Sequence, residues 1–219
     1  MGSAVVDPVP ELQEGIELEQ ALRWSEALAV YERLEAQPLT PNGRVEVRLR
    51  KANALMELGR MDEARRGFDA CIEEAKAAGD SGLLARTLVG AGVYAANAGD
   101  PGRAEPFLLR ALELASPLDD PESRLTAGWA MLNLGGLYGK TGRLDLAFVT
   151  LGKARERLGA IGNWVGVGAA WETQAQLRRA IGDEDRWRED LAEAVVLYQR
   201  EGLGEKARRL GSLLGRKQV

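Results

Sequence analysis

Apolar positions along the chain come in two sizes, and the two sizes recur together. Small residues stand at Gly15, Ala52, Gly92, Gly135 and Ala175, separated by 37, 40, 43 and 40 residues. Twelve residues after each of these anchors come Ala27, Ala64, Ala104, Ala147 and Trp187. Four residues further stand the large apolar Tyr31, Phe68, Leu108, Leu151 and Leu191, and three beyond those Leu34, Cys71, Ala111, Ala154 and Ala194. In the last four units a glycine follows the anchor by seven residues (Gly59, Gly99, Gly142, Gly182), and Leu22 holds that place in the first unit.

This spacing predicts antiparallel helix pairs. A small residue in each helix lets two backbones approach, and a large residue one turn on packs beside the contact. The glycine between them ends the first helix, because it takes the left-handed conformation that helix ends favour. "ELGRMDEA", "NAGDPGRA", "KTGRLDLA" and "AIGDEDRW" are then four copies of one joint. The predicted pairs occupy about residues 8–37, 43–78, 82–116, 122–159 and 164–201, within a single domain spanning 1–219. A linker from Gly202 to Gly204 leads into a short amphipathic helix, about 203–215, with Ala207, Leu210, Leu213 and Leu214 on one side. Such a helix either seals the last pair or docks a partner.

Composition narrows the function. Hydrophobic residues make up 45% and charged residues 28% of 219 positions, with only eight prolines, which suits a folded helical chain. The net charge of −4 is spread without a basic block, so the footprint of a dedicated nucleic-acid binder is missing. Histidine is absent, which removes the commonest general base and metal ligand, and no cofactor or metal is expected. The single cysteine, Cys71, takes a small core position, has no activating neighbour, and fits a reducing compartment. "MGSAVVDPVPELQ" lacks the basic lead and apolar core of a secretory signal, and Val6 breaks the myristoylation pattern. No apolar run approaches the roughly 20 residues of a membrane span. The expectation is a cytoplasmic protein with no membrane or nucleic-acid partner.

One stretch, "GGLYGKTG", imitates a phosphate loop. That loop needs a glycine five residues before its Gly-Lys pair, following a strand, and position 134 is Leu134. The repeat instead places Gly135 at a helix contact, Lys140 and Thr141 in the last helical turn, and Gly142 at the helix end. "WVGVGAAW" likewise lacks the third glycine of a dinucleotide fingerprint.

The pattern resembles the tetratricopeptide repeat, whose consensus reads W-x2-L-G-x2-Y, then A-x3-F, then P. The fourth unit carries Leu134-Gly135-x2-Tyr138, then Ala147-x3-Leu151 and Ala154. The second carries Ala52-x2-Leu55, Gly59 and Ala64-x3-Phe68, and the third Gly92-x2-Ala95 and Ala104-x3-Leu108. The family's consensus period is about 34 residues, so this chain is similar to the long-repeat variety in kinesin light chains and bacterial regulators. Its Ala, Gly and Arg richness also suits a GC-rich bacterial genome.

The resemblance implies an all-α, right-handed superhelical solenoid of five such pairs plus a C-terminal capping helix. It implies that the first helix of each pair lines an inner groove. The groove residues would be Leu12 and Ile16, then Leu49, Asn53 and Met56 beside Glu46, then Arg86, Val89, Val93 and Asn97. Trp129, Leu132, Gly136 and Lys140 would follow, and then Glu172, Gln176 and Arg179. Leu49, Met56, Val89, Val93, Leu132 and Trp129 would form one apolar stripe, with Gly136 and Gly139 baring backbone to a ligand. The same residues could instead pack on one another as core. The implied function is a non-catalytic adaptor binding a protein or peptide. The alternatives are a ligand- or peptide-sensing module acting through a partner chain, and a self-assembling homodimer.

Overall fold

The computed structural model describes residues 9–215, and over that range the chain is built of eleven helices without a strand. The five pairs are α1 (Val9–Gln20) with α2 (Trp24–Glu35), α3 (Pro41–Glu57) with α4 (Met61–Ala78), α5 (Ser81–Asn97) with α6 (Pro101–Ala115), α7 (Pro121–Lys140) with α8 (Leu144–Ala160), and α9 (Trp164–Ala180) with α10 (Glu184–Arg200). The last helix is α11 (Gly204–Leu214). Residues 1–8, which bear on the secretory and acylation readings, and 216–219 lie outside the described residues. Two compact units divide between Leu114 and Ala115, the first holding α1 to α5 and most of α6, the second α7 to α11.

The first helix of pairs two to five starts on a side-chain cap. Thr40 accepts from the Gly43 N–H at 3.1 Å, Asp80 from Leu83 at 2.9 Å, Asp120 from Ser123 at 2.9 Å and Asn163 from Gly166 at 2.7 Å. The turn inside each pair is closed by a backbone bond. Arg23 N–H donates to the Leu18 carbonyl at 2.8 Å, and Arg60, Asp100, Arg143 and Asp183 repeat that bond at their own turns at 2.8 to 2.9 Å. Gly59, Gly99, Gly142 and Gly182 precede these donors with φ of 74° to 79°.

Inside each pair the anchor meets the large residue sixteen positions on. A Cβ added at Gly92 would stand 2.7 Å from Leu108 Cγ, one at Gly135 would stand 2.6 Å from Leu151 Cγ, and Gly15 lies against the Tyr31 ring. One register further out, Gly128 and Gly168 pack on Leu158 and Tyr198. Cys71 is buried as expected, and burial pushes its thiol up to about 12. Trp187, bulky where other units are small, is buried with Ala175, Leu191 and Tyr198, so the fifth pair closes too. α11 lays Ala207 and Leu210 on that cluster, and Arg188 hydrogen-bonds the Leu214 carbonyl at 3.1 Å.

Leu22 takes the glycine position of the first turn with φ 57° while 71% exposed. A left-handed leucine costs about 1–2 kcal/mol, of which glycine's extra backbone entropy cancels part. Leu22→Gly should therefore stabilise the chain by about 1 kcal/mol in urea unfolding, and Gly142→Leu should destabilise it by a similar amount. A lowered midpoint in Leu22→Gly would contradict this reading of the turn.

Candidate functional site

In the first unit the expected groove residues lie on α1, α3 and α5. Leu12, Ile16, Asn53, Met56, Arg86, Val89 and Val93 are half-buried, and Asn97 is exposed. The structure brings several of them together. The Asn97 amide lies 3.8 Å from Met56 Sδ, and a Cβ on Gly90 would be 3.5 Å from Asn53 Oδ1. Leu49, expected on the open face, is only 6% exposed, because α5 approaches α3 through the bare backbone of Gly90 and covers it.

A ladder of charges joins the same three helices. Tyr31 donates to Glu19 at 2.7 Å, Arg50 donates to Glu19 at 2.9 Å and to Glu46 at 3.0 Å, and Arg86 pairs with Glu46 at 2.9 Å. Burial holds the Glu19 carboxyl above its ordinary value despite the bonds from Tyr31 and Arg50. On the other side of α3, Glu35 accepts from Arg48 at 2.6 Å and Lys51 at 2.9 Å, and Arg48 also pairs with Glu74. Burial works to raise the Glu35 carboxyl, but the Lys51 and Arg48 hydrogen bonds outweigh it and the group titrates below its ordinary value.

The second unit is more closed. Trp129, Gly136 and Glu172 are half-buried, Lys140, Gln176 and Arg179 are exposed, and Leu132 is buried at 7% within a cluster containing Leu151 and Val167. Gly139, expected to bare backbone to a ligand, instead receives the Leu177 side chain of α9, and Gly136 has Thr173 beside it. Glu172 is committed to its own fold, accepting from Tyr198 at 2.8 Å and pairing with Lys206 at 2.9 Å. Arg179 lies 5.1 Å from the Trp187 ring centre. Lys140 closes α7 and Thr141 caps it, as the repeat reading of "GGLYGKTG" requires.

Sequence reasoning missed the polar partners. Beside the ladder, the second unit holds a relay in which Arg155 donates to Gln174 at 2.7 Å and Gln174 to Asp190 at 3.0 Å. Arg178 then bonds Asp190 at 2.7 Å and Asp183 at 2.8 Å. The available signal was opposite charge at matching helix faces of successive repeats. No cluster able to hold a metal occurs among the described residues, and none of their helices is long and apolar enough to cross a membrane.

A pair of small-residue contacts, a fixed turn bond and the sequence profile point the same way, for the tetratricopeptide repeat profile matches residues 44–116. Residues 44–116 carry tetratricopeptide repeats. No curated protein sequence matches it. Among solved structures, it is similar to the Signal Transduction ATPase with Numerous Domains protein with a tetratricopeptide repeat sensor from Pyrococcus horikoshii. The TM-score is 0.70 at 18% identity, covering 94% of this chain and 32% of that one, so the chain spans about a third of that protein's length. PlcR of Bacillus thuringiensis, solved with the peptide PapR7 and DNA, gives TM-score 0.73 at 15% identity over 94% of this chain and 73% of PlcR. BtubC from P. vanneervenii gives 0.61 at 16% identity, covering 94% and 80%. These likenesses show the fold of the repeats.

Glu35 carries a pH prediction. Its folded pKa lies below its unfolded value of 4.5, so its contribution is complete above 4.5 and is lost as pH falls below it. Glu35→Gln should lower the thermal midpoint near neutral pH, with the gap to the parent narrowing below about pH 4.5. A gap that stays constant into acid would contradict the Glu35–Lys51–Arg48 assignment.

Proposed function

We propose that the chain is a non-catalytic, cytoplasmic adaptor that binds an extended peptide or a helix of a partner protein on the face of its first-in-pair tetratricopeptide helices. The observation that carries this reading is the first unit's face, where Met56, Val89 and Val93 stay half-exposed beside the amides of Asn53 and Asn97. Apolar side chains interleaved with amides suit a ligand that offers both side chains and backbone groups. Leu12, Ile16 and Arg86 extend that face, and Trp129, Gly136, Lys140, Gln176 and Arg179 are the second unit's candidates. Leu49 in the first unit, and Leu132 and Glu172 in the second, are each packed or bonded within their own unit. PlcR with PapR7, and Rap protein complexed with Competence and Sporulation Factor, are precedents for ligand binding on this fold.

The test is recovery of partners from native lysate by the parent chain and by Met56→Glu with Val93→Glu. Both positions are half-exposed, so the variant should keep its helical circular dichroism while losing the bound partners. Unchanged recovery by the folded variant would contradict the assignment.

A further inference from the structure

Within the units each second helix packs on the first helix of the next pair, α2 on α3, α4 on α5, α8 on α9 and α10 on α11. One register recurs at these junctions. The residue twenty positions after an anchor faces the residues one and four before the next anchor. At α2–α3, Glu35 accepts from Lys51 at 2.9 Å and from Arg48 at 2.6 Å. At α8–α9, Arg155 donates to Gln174 at 2.7 Å and lies 3.7 Å from the Trp171 ring centre. At α4–α5 the three residues are Ile72, Ala91 and Leu88, all buried. At α10–α11, taking Gly211 as the next anchor, Val195 packs on the cluster holding Leu210 and Ala207. Acid meets bases, cation meets amide and ring, and apolar meets apolar. The two positions before an anchor therefore select the helix that packs there.

Before the first anchor, Gly15, those positions are Glu14 and Glu11, both exposed, and no helix among the described residues fills the seat. A cleft of about 500 Å³ lies there between α1 and α2. Leu18, Ala21, Ala29 and Val30 form its apolar part, and Glu14 pairs across it with Arg33 at 2.9 Å. α1 carries four glutamates and no basic residue. At the edge of the cleft, between its lining residues Ala21 and Arg23, stands Leu22, 71% exposed on a left-handed backbone. Strain and an uncovered large apolar side chain coincide at one residue, as they do at docking sites.

We propose that this seat docks a basic amphipathic helix of a partner protein. An arginine or lysine of that helix meets Glu11 and Glu14, and an apolar residue seven positions earlier lies on Leu18, as Phe148 lies seven before Arg155 and meets Arg178 in the equivalent seat, 4.8 Å from its guanidinium. The wholly acidic α1 selects a basic helix over a neutral or acidic one. By helical periodicity Glu11, Glu14 and Leu18 point away from Leu12 and Ile16, so this surface is separate from the face proposed above.

A labelled, end-capped peptide of residues 144–160, which carries Phe148 and Arg155 at the required positions, serves as the probe, titrated with the full chain by fluorescence anisotropy. Saturable binding is expected, weakened about tenfold by Arg155→Glu in the peptide. Glu11→Lys with Glu14→Lys in the protein should weaken it likewise, and combining both reversals should restore it. Leu22→Gly, which relieves the turn, should bind the peptide more weakly while folding at least as stably. Met56→Glu with Val93→Glu should leave this binding unchanged, which separates failure here from failure of the other face. Binding indifferent to charge reversal, or no saturation by about 1 mM, overturns the proposal. So does a dimer of the chain that the two lysine substitutions dissociate, since the seat would then belong to a second copy.

Discussion

Two helices of a pair approach until one backbone has no room left for a side chain. At Gly92 and Gly135 the facing leucine occupies the space a Cβ would need, at 2.7 and 2.6 Å, and Gly15 is filled in the same way by Tyr31. Leu108, Leu151 and Tyr31 are fully buried as a result. Burying one such side chain contributes about 1.5–3 kcal/mol, more than the roughly 1 kcal/mol that a helical glycine costs relative to alanine. The anchor glycines thus weaken their own helix and strengthen the pair.

Polar groups do a different task. Most ion pairs on the second-helix surfaces, such as Arg60–Glu63 and Arg110–Glu113, are about half exposed, and solvent screening leaves them little net effect on stability. The half-buried ladder from Glu19 to Arg86 and the relay from Arg155 to Asp183 offset much of their attraction by desolvation. Their value lies in register, since sliding one helix past another by a turn would leave buried carboxylates and guanidiniums without partners. Apolar contact closes each pair, and polar contact helps fix the following helix where charges meet, at α2–α3 and α8–α9.

The helix pairs were legible because close contact constrains residue size on both partners at once, and a size rule survives in sequence. Even Trp187 obeys the underlying demand for burial while breaking the size rule. The face was only partly legible. Periodicity tells which side of α3 and α7 bears Leu49 and Leu132, but the next helix covers both, and its approach depends on Gly90 of α5 and Leu177 of α9. Gly139 differs from expectation for that reason, because what is bare backbone in sequence is a notch filled by Leu177 in the fold. The charge ladder was invisible because its partners lie 31 and 40 residues apart, from Glu19 to Arg50 and from Glu46 to Arg86.

The most direct test of the small-residue contact is a double-mutant cycle at Gly135 and Leu151, followed by urea unfolding. In the parent, Gly135→Ala should destabilise by about 1–3 kcal/mol, because the new methyl group enters the Leu151 side chain. In a Leu151→Ala background the same change should become neutral or stabilising by up to about 1 kcal/mol, since only alanine's better helix propensity remains. Equal stabilisation in both backgrounds would mean that the helices of the pair do not meet there.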